Sequence, residues 1–339
     1  MCLFKLFKGK NILITGGTGS LGQALTKKLL TYNPKVIRIF SRNEINQINM
    51  KNKFNDKRLN FLIGDIRDKP RLKRAVEDID IVVHAAALKH IDVGEYNPFE
   101  FIKTNIEGSQ NVVDVCMDEE VDILLGISTD KAVSPLNLYG ATKLTMEKLI
   151  IAGNHYKGKR KTKFSCVRYG NVFASQGSVV PKFLEQINST GIVTVTDNSM
   201  TRFSITMNDA LDLIIFALQK SKGGEVFVPK LKAYRVRDLV ESLKIISKKE
   251  FKTKKIPIRP GEKMHEVLLN IYEIKSSLDI GYCYILFSME NQEVFKKIYT
   301  NSKPVNMISY SSDDVKLLSP HDLKLIFVKE NLISSSQKI

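Results

Sequence analysis

Residues 10–22 read KNILITGGTGSLG, in which an apolar run is followed by a cluster of glycines and the start of an amphipathic stretch. The run Lys10 to Thr15 predicts a short buried strand, and the stretch after the glycines predicts a helix. Gly16 permits the tight turn, Gly19 lets backbone approach a pyrophosphate, and Gly22 allows close packing of helix on sheet. Because helix N-terminal amides attract negative charge, this order of elements predicts a dinucleotide site.

The alternation of strand and helix continues along the chain. Further strands are predicted at Val36–Phe40, Leu59–Ile63, Ile81–His84, Val121–Ile127, Phe164–Arg168 and Ile192–Thr196. Helices are predicted at Leu21–Leu30, Pro70–Glu77, Pro98–Cys116, from Leu138 past Ile150, and at Asn208–Gln219 and Val236–Ile246. Such alternation predicts a parallel sheet covered on both faces. We therefore expect an α/β fold, a Rossmann-like doubly wound parallel sheet with a smaller C-terminal α/β substrate-binding lobe.

The chain has 339 residues, which is enough for two domains of ordinary size. We expect a dinucleotide-binding Rossmann domain at residues 1–170 and a mainly substrate-binding lobe at residues 171–333, whose segments can interleave with the first domain. Residues 334–339 begin with a Ser-rich stretch and are predicted to form a disordered tail. Residues 276–339 contain no motif that predicts a role.

The charge and the spacing of cysteines and histidines indicate which kinds of ligand the protein binds. The net charge is +16, but the surplus is spread along the chain, and its densest cluster, residues 157–163, is typical of a solvated loop. Since no zinc-finger spacing or RNA-binding aromatic signature accompanies it, we expect an acidic small ligand and no nucleic acid. Four dispersed cysteines and five dispersed histidines lack disulfide or metal-ligand spacing, so we expect reduced thiols, no metal and a cytoplasmic location.

The N-terminal residues 1–10 mix apolar residues with lysines. Their apolar run is too short for a signal peptide or a membrane span, so no membrane span is expected. We predict a packed or frayed terminus, with a short anchor or a dimer-packing arm as the alternative.

Ser41 and Arg42 directly follow the second predicted strand, at the place where an acidic residue would bind the ribose of NAD. A guanidinium pairs with a 2′-phosphate through charge-assisted hydrogen bonds, so NADP is favoured over NAD. The alternative is that Arg42 is only a solvated loop cation and that Glu44 nearby allows NAD to bind.

Two more strand ends point toward the same ligand. Asp65 and Ile66 follow the third strand, where the carboxylate can either meet an adenine amino group or cap the next segment. Ala85, Ala86 and Ala87 follow the fourth strand and are small enough to lie beside a cofactor or to serve as packing residues. Their recurrence at strand ends, where such sheets bind ligands, favours cofactor contact.

The sequence Tyr139-Gly140-Ala141-Thr142-Lys143 places a phenol and an ammonium on one helical face. A neighbouring cation favours the phenolate, so Lys143 would make Tyr139 a usable base near neutral pH. Any single Y-x-x-x-K is common and usually structural. After a dinucleotide-binding unit and the strand end Ser128-Thr129, it indicates oxidation of a carbon-hydroxyl group by a nicotinamide.

Asp130 and Lys131 come next, and with them the chain resembles the extended short-chain dehydrogenase/reductase family. Within it the resemblance is to UDP-N-acetylglucosamine 4,6-dehydratases that invert carbon 5, and it is close over roughly residues 10–270. The motifs that carry it are TGGTGSLG, FSRNE, GDIRD, HAAALKH, STDKAVSPLNLYGATK, RYGNVFASQGSVVPKF, MTRFSIT and RPGEKMHE.

The resemblance implies a role for each candidate catalytic residue. Tyr139 would remove the carbon 4 hydroxyl proton as hydride passes to NADP, with Thr129 bonded to that hydroxyl and Lys143 holding the ribose. Lys131 would then take the carbon 5 proton, and Asp130 would protonate the departing 6-hydroxyl. Hydride would return to carbon 6, and carbon 5 would be reprotonated on its opposite face. As a base, Lys131 requires a lowered pKa.

The resemblance also implies the binding residues. Those expected at the cofactor are Thr15, Gly16, Gly17, Thr18, Gly19, Ser20, Leu21, Gly22, Ser41, Arg42, Asp65, Ile66, Ala85, Ala86, Ala87, Lys89, Asn105, Tyr139, Lys143 and Tyr169. Those expected at UDP-N-acetylglucosamine are Lys89, Thr129, Tyr139, Asn171, Val179, Val180, Lys182, Arg202, Arg259 and Glu262. The cations among them suit two phosphates. By the same resemblance we expect a homo-oligomer, at least a dimer.

Several alternatives stay open. Retaining dehydratases of this group carry Asp-Glu in place of Asp130-Lys131, although some membrane-bound retaining relatives also look to carry Asp-Lys. A dehydratase that also epimerises carbon 3, a UDP-hexose 4-epimerase and a catalytically idle NADP-binding protein are the rival functions. A 4-epimerase has no need of Asp130-Lys131, and a pure binder has no use for the catalytic residues.

Overall fold

The computed structural model describes residues 2–173, 178–247, 249–288 and 292–330. The strands are β1 Asn11–Thr15, β2 Val36–Ser41, β3 Leu59–Ile63, β4 Ile81–His84, β5 Ile123–Ile127, β6 Lys163–Val167, β7 Asn171–Val172, β8 Ile192–Val195, β9 Thr201–Ile205, β10 Val226–Pro229, β11 Ala233–Arg235, β12 Lys252–Lys255, β13 Val267–Leu269, β14 Ser277–Asp279, β15 Cys283–Leu286, β16 Lys303–Pro304 and β17 Tyr310–Ser311. The predicted disordered tail, residues 334–339, lies outside the described residues.

The helices flank these strands. They are α1 Cys2–Phe7, α2 Ser20–Leu30, α3 Glu44–Phe54, α4 Lys69–Val76, α5 Ile91–Tyr96, α6 Pro98–Phe101, α7 Gly108–Asp118, α8 Leu138–Tyr156, α9 Val179–Ser189, α10 Met207–Lys220, α11 Val236–Ser247, α12 Gln292–Ile298 and α13 Pro320–Lys329. A π-helical turn, Ile102–Glu107, joins α6 to α7, and 3₁₀ turns occupy Asp130–Ala132 and Glu273–Ser276.

A ten-stranded sheet forms the centre of the molecule, in the order β16-β14-β15-β10-β6-β5-β4-β1-β2-β3. The seven strands from β3 to β10 in that order pair in parallel, and β15, β14 and β16 add antiparallel pairs at one edge. The α/β prediction of a doubly wound parallel sheet is confirmed. Four strands of this sheet come from beyond residue 171, so the second part of the chain completes the first sheet.

The connection pattern reverses at β1, which lies between β2 and β4. Thr15 pairs with Phe40 on one side and with His84 on the other. The chain leaves β1 and β4 toward opposite faces of the sheet, which opens a crevice at their carboxyl ends, where such folds bind ligands. The predicted glycine turn and the residues after β4 therefore border one crevice.

The remaining strands form small sheets beside this crevice: β11-β9-β7, β12-β8 and β13-β17. A separate apolar cluster holds this second region together, with Phe173, Phe183, Tyr234, Leu239 and Phe327 all buried. Such burial excludes water from the side chains that stabilise the region. In this second region, α9, β9 and the residues after β12 lie opposite the carboxyl ends of β5 and β6.

Two local predictions turned out differently. The helix expected at Pro98–Cys116 is present as a continuous helical run, but its middle, Ile102–Glu107, is π-helical, and Asn105 there makes tertiary hydrogen bonds. The stretch after residue 276, for which no role was predicted, supplies three strands of the main sheet.

Two other predictions are confirmed. The N-terminal residues pack as α1, with Phe7 buried and its ring 5.2 Å from that of Tyr32. The basic residues Lys159, Arg160 and Lys161 are exposed between α8 and β6, as expected of a solvated loop.

Candidate active site

The turn after β1 has the close backbone approaches that its glycines predict. Gly16 adopts a left-handed conformation, with φ of 67°, and a β-carbon there would lie 2.8 Å from the Ala86 backbone. A β-carbon on Gly22 would lie 2.4 Å from the Gly17 carbonyl oxygen. The first turn of α2 carries no acidic side chain, and no side chain caps it. Its amides therefore suit an anionic ligand.

Arg42 lies at the end of β2 with just over half of its side chain exposed, and its Nη1 is 3.8 Å from Asp65 Oδ2. Asp65 Oδ1 accepts a hydrogen bond from the Arg67 backbone, and Oδ2 accepts bonds from the Arg67 guanidinium at 2.7 and 3.0 Å. Burial acts to raise the pKa of Asp65, but Arg67 and Arg42 outweigh it and hold that pKa below its ordinary value. Asp65 thus closes a short turn with Arg67, whereas the helix that follows, α4, is capped by Asp68, and contact of Asp65 with adenine stays a prediction.

A buried hydrogen-bond chain lies behind the alanines that follow β4. His84 Nδ1 is 2.8 Å from Thr15 Oγ1, and its Nε2 is 3.0 Å from Ser109 Oγ. Burial and the charge of Lys143 lower the pKa of His84 to about 3, so this imidazole stays neutral. His84 fixes the crevice wall from within, a function that the sequence analysis did not assign to it.

Asn105 was predicted to contact the cofactor, and the structure engages its amide inside the protein instead. Its Oδ1 accepts from the Leu88 amide at 2.8 Å, and its Nδ2 donates to the Leu88 carbonyl and to Thr142 Oγ1 at 2.9 and 3.0 Å. Because both ends of the buried amide are used, Asn105 ties the loop after β4 to α8. It positions Lys89, which follows in that loop.

The turn after β5 brings together a carboxylate and an ammonium. Asp130 is fully buried, and its Oδ1 accepts from Thr129 Oγ1 at 2.8 Å and from Lys131 Nζ at 3.1 Å. Its Oδ2 is buried and has no hydrogen-bond partner among the described residues. Lys131 Nζ also donates to Asn171 Oδ1 at 3.2 Å. One oxygen of Asp130 is thereby left for another group.

The prediction that Lys131 has a lowered pKa is wrong. Burial alone would lower the pKa of Lys131, but Asp130 and Glu266 raise it above its ordinary value. Glu266 Oε1 lies 3.7 Å from Lys131 Nζ. Two facing carboxylates therefore hold Lys131 as an ammonium, and the proton must move before this side chain can act as a base.

Tyr139 and Lys143 share one face of α8, as their spacing predicts, but they do not act on each other as expected. Lys143 Nζ donates to the Ile127 carbonyl at 2.6 Å, and burial lowers the pKa of Lys143 to about 8. Burial raises the pKa of Tyr139, and the charge of Lys131 and a hydrogen bond with Thr129 offset part of that rise. The cation that acts on the phenol is Lys131 rather than Lys143.

Close packing sets the position of α8. Asn137 caps the helix by accepting from the Gly140 amide at 2.8 Å. A β-carbon on Gly140 would lie 2.2 Å from the Lys131 carbonyl oxygen, so only glycine lets the helix approach the turn this closely. The buried Tyr169, a predicted cofactor contact, accepts a backbone hydrogen bond from Asp130 at 3.1 Å.

Eight of the ten predicted substrate residues line two adjoining cavities, and the other two, Thr129 and Tyr139, line neither. The first, of about 260 Å³, is lined by Asn171, Val179, Val180, Lys182, Arg202, Arg259 and Glu262, among others. The second, of about 250 Å³, is lined by Lys89, Lys131, Asn171, Arg202, Arg259, Glu262 and Glu266, among others. Arg202 Nη2 is 3.2 Å from Glu262 Oε1. Cations and carboxylates from distant parts of the chain thus converge where the cavities meet.

Two charged groups at this site were not assigned from the sequence. Glu266 ends the motif RPGEKMHE, which was quoted without a role for that residue. Arg168, 1% exposed, donates to Glu147 on α8, to Glu273 and to the Leu268 carbonyl. The roles of Glu266 and Arg168 depend on contacts between segments that are distant in sequence. The motif RPGEKMHE was the only sequence signal that could have indicated Glu266.

Comparison with known proteins supports the resemblance. Residues 12–287 match the polysaccharide biosynthesis protein family. The chain belongs to this family. It is 43% identical to UDP-N-acetylglucosamine 4,6-dehydratase (inverting) from Campylobacter jejuni, with 91% of this chain and 94% of that protein aligned. It is 36% identical to UDP-glucose 4-epimerase from Rickettsia bellii, over 98% and 99% of the two chains.

A solved structure with a similar level of sequence identity has the same fold. The X-ray structure of Pen from Bacillus thuringiensis is 40% identical, with a TM-score of 0.91 that covers 96% of this chain and 99% of that one. The predicted resemblance to nucleotide-sugar dehydratases of the extended short-chain dehydrogenase/reductase family is therefore confirmed.

Within the described ranges, no helix of this family member is long and apolar enough to cross a membrane. The same ranges contain no cluster of His, Cys, Asp or Glu side chains that could hold a metal ion. Cys116, Cys166 and Cys283 are buried and unpaired.

Proposed function

We propose that this protein is an NADP-dependent UDP-N-acetylglucosamine 4,6-dehydratase that inverts carbon 5. The observation that carries the proposal is the contact between Asp130 and Lys131, an acid and a base joined at 3.1 Å beside Tyr139 and at the edge of a cavity lined by cations. The similarity to the Campylobacter enzyme supports the substrate. The product is a UDP-2-acetamido-2,6-dideoxy-4-hexulose, an early intermediate for 6-deoxy amino sugars of surface glycans.

The residues around the crevice fit a nicotinamide dinucleotide. The glycine turn leaves no space for β-carbons at Gly16 or Gly22, and the α2 amides face the position of a pyrophosphate. Arg42 is exposed enough to meet a 2′-phosphate, which supports NADP over NAD. When bound, such a cofactor supplies reversible hydride transfer to and from the sugar.

Oxidation at carbon 4 depends on Tyr139 and Thr129. Tyr139 accepts the proton of the 4-hydroxyl, and Thr129 holds that hydroxyl by a hydrogen bond. Lys131 carries the charge that favours the phenolate, because Lys143 is turned toward the Ile127 carbonyl. The 4-keto group then acidifies the hydrogen on carbon 5.

The Asp130–Lys131 contact reconciles a raised pKa with a basic role. Moving one proton from Lys131 Nζ to Asp130 along their hydrogen bond yields a neutral amine and a carboxylic acid. The amine takes the carbon 5 proton, and Asp130 gives its proton to the departing 6-hydroxyl, which leaves as water. The C5–H and C6–O bonds break, a C5=C6 double bond forms, and the pair returns to its starting charges.

Cations on the second region hold the rest of the substrate. Lys182, Arg202 and Arg259 line the first cavity and suit the two phosphates of UDP. Lys89 lies in the second cavity, and burial lowers its pKa. With Glu262 it suits the hydroxyl groups of a sugar or ribose.

Mass spectrometry after incubation with NADP and UDP-N-acetylglucosamine tests this proposal. Loss of one water from the substrate is expected. An unchanged mass with a new sugar would instead show a 4-epimerase, the activity of the rickettsial relative. No conversion would leave an NADP-binding protein, and NMR of the product would show whether carbon 3 is also epimerised. We further expect a cytoplasmic homo-oligomer, at least a dimer, which size-exclusion chromatography with light scattering tests.

A further inference from the structure

We propose that Glu266 is a positioning residue of the active site, whose carboxylate fixes Lys131 Nζ and retains the proton that Asp130 and Lys131 share. This inference rests on the proposed function and adds a residue to its machinery.

The Glu266 carboxylate is buried between two cationic side chains. Glu266 is 4% exposed, and its Oε1 lies 3.7 Å from Lys131 Nζ and 3.8 Å from Arg202 Nε. Its Oε2 is buried and has no hydrogen-bond partner among the described residues. A buried carboxylate is costly unless cations compensate it, and here the compensation comes from Lys131 and Arg202.

Backbone hydrogen bonds also fix the position of Glu266. The Glu266 amide donates to Ser312 Oγ at 2.9 Å, and the Ser312 amide donates to the Glu266 carbonyl at 2.8 Å. Glu266 thus enters the site on a segment fastened by a residue close to β17. The part of the chain for which the sequence predicted no role holds this carboxylate in place.

The surroundings of Lys131 show why Glu266 is needed. The charged and titratable groups that face Lys131 are Asp130, Glu266, Tyr139, Tyr234 and Lys263, with Arg202 on the other side of Glu266. Asp130 still carries its proton when Lys131 takes the carbon 5 proton, so until that proton passes to the 6-hydroxyl Asp130 cannot stabilise the ammonium that forms on Lys131. Glu266 takes no part in this proton transfer, and its carboxylate lies 3.7 Å from Lys131 Nζ, so it can stabilise that ammonium.

This role predicts a shift in the pH profile. Dehydration requires one proton on the Asp130–Lys131 pair, and an adjacent anion raises the pH at which that proton is lost. In Glu266→Gln the alkaline limb of the rate should therefore move down by about one to three pH units, the range expected for removing one close opposite charge. Glu266→Asp keeps the charge and should restore much of the wild-type limb.

Glu262→Gln is the matched control. Its carboxylate contacts the same Arg202, at 3.2 Å, from the same segment, and has no ion pair with Lys131. We expect this variant to raise KM for UDP-N-acetylglucosamine while its alkaline limb stays in place. A purely structural role for Glu266 would lower the rate equally at every pH.

The experiment measures kcat and KM against pH for wild type and the three variants with NADP and UDP-N-acetylglucosamine, with circular dichroism to verify folding. In parallel, the pH dependence of Lys131 acetylation, followed by peptide mass spectrometry, reports the proton on Lys131 without any turnover. A lower titration midpoint in Glu266→Gln alone supports the proposal, whereas equal midpoints in wild type and Glu266→Gln overturn it. If the wild type fails to release water, the proposed function is wrong, and the acetylation data still decide the role of Glu266.

Discussion

Replacing Arg168 by methionine removes the cation from a buried ion cluster that joins three parts of the chain. Arg168 donates to both oxygens of Glu147 on α8, at 3.0 and 2.6 Å, and to both oxygens of Glu273, at 3.0 and 2.9 Å. It also donates to the Leu268 carbonyl at 3.0 Å. The cluster therefore ties the helix that carries Tyr139 to the segment that carries Glu266.

The size of the effect follows from burial. The Glu147 side chain is 3% exposed and would lose its buried cationic partner, whereas Glu273, at 16%, retains some hydration. Breaking such a buried pair from one side costs about 3 to 5 kcal/mol, against about 0 to 1 kcal/mol for a surface pair. With a urea m-value of about 2 to 3 kcal/mol per molar, the unfolding midpoint should fall by about 1 to 2.5 M.

Urea unfolding followed by circular dichroism measures this loss. The double variant Arg168→Met with Glu147→Met is the control, because it removes the unpaired carboxylate and replaces the pair by apolar side chains. We expect the double variant to recover most of the loss. A single variant with an unchanged midpoint, or a double variant less stable than the single, would refute this reasoning.

Three further predictions concern the crevice. Arg42→Ala should weaken NADP binding about tenfold or more and leave NAD binding unchanged, as measured by fluorescence titration; an equal effect on both cofactors contradicts a 2′-phosphate contact. His84→Gln should flatten the pH dependence of the free energy of unfolding. In the unfolded chain this histidine binds a proton near pH 6.5, whereas folded His84 binds one only at about pH 3. His84 therefore lowers the stability of the wild type by about 1.4 kcal/mol per pH unit as the pH falls from 6.5 toward 3. Urea unfolding at pH 5 and 7 shows whether that slope is absent from the variant. Gly22→Ala should abolish NADP binding, because its β-carbon would lie 2.4 Å from the Gly17 carbonyl oxygen, while Gly19→Ala, at 3.3 Å from its nearest neighbour, should bind more weakly than wild type but measurably.

The central strands were predictable because each is a short apolar run bounded by polar or glycine residues. β3 and β4 have the predicted bounds, and β1 differs by one residue. Local sequence determines such elements, so their order gives the α/β class and the crevice at β1 and β4. The edge strands β14 and β16 are only three and two residues long, and their pairing depends on distant partners.

The candidate site was predictable as a set of residues but not as an electrostatic arrangement. Spacing places Tyr139 and Lys143 on one helical face, yet the direction of the Lys143 side chain is decided by the Ile127 carbonyl of β5. Similarly, the pKa of Lys131 depends on Glu266, which lies 135 residues further along the chain. Such contacts arise only when segments distant in sequence pack together, so no local pattern predicts them.

We propose that Asp130 and Lys131 make this protein a dehydratase that inverts carbon 5. NMR of the product formed from UDP-N-acetylglucosamine in deuterated water, by wild type and by Lys131→Ala, tests this role most directly. We predict deuterium at an inverted carbon 5 with wild type, and no deuterium at carbon 5 with the variant. A product that retains the configuration at carbon 5, or a Lys131→Ala variant that still incorporates deuterium there, would contradict the account.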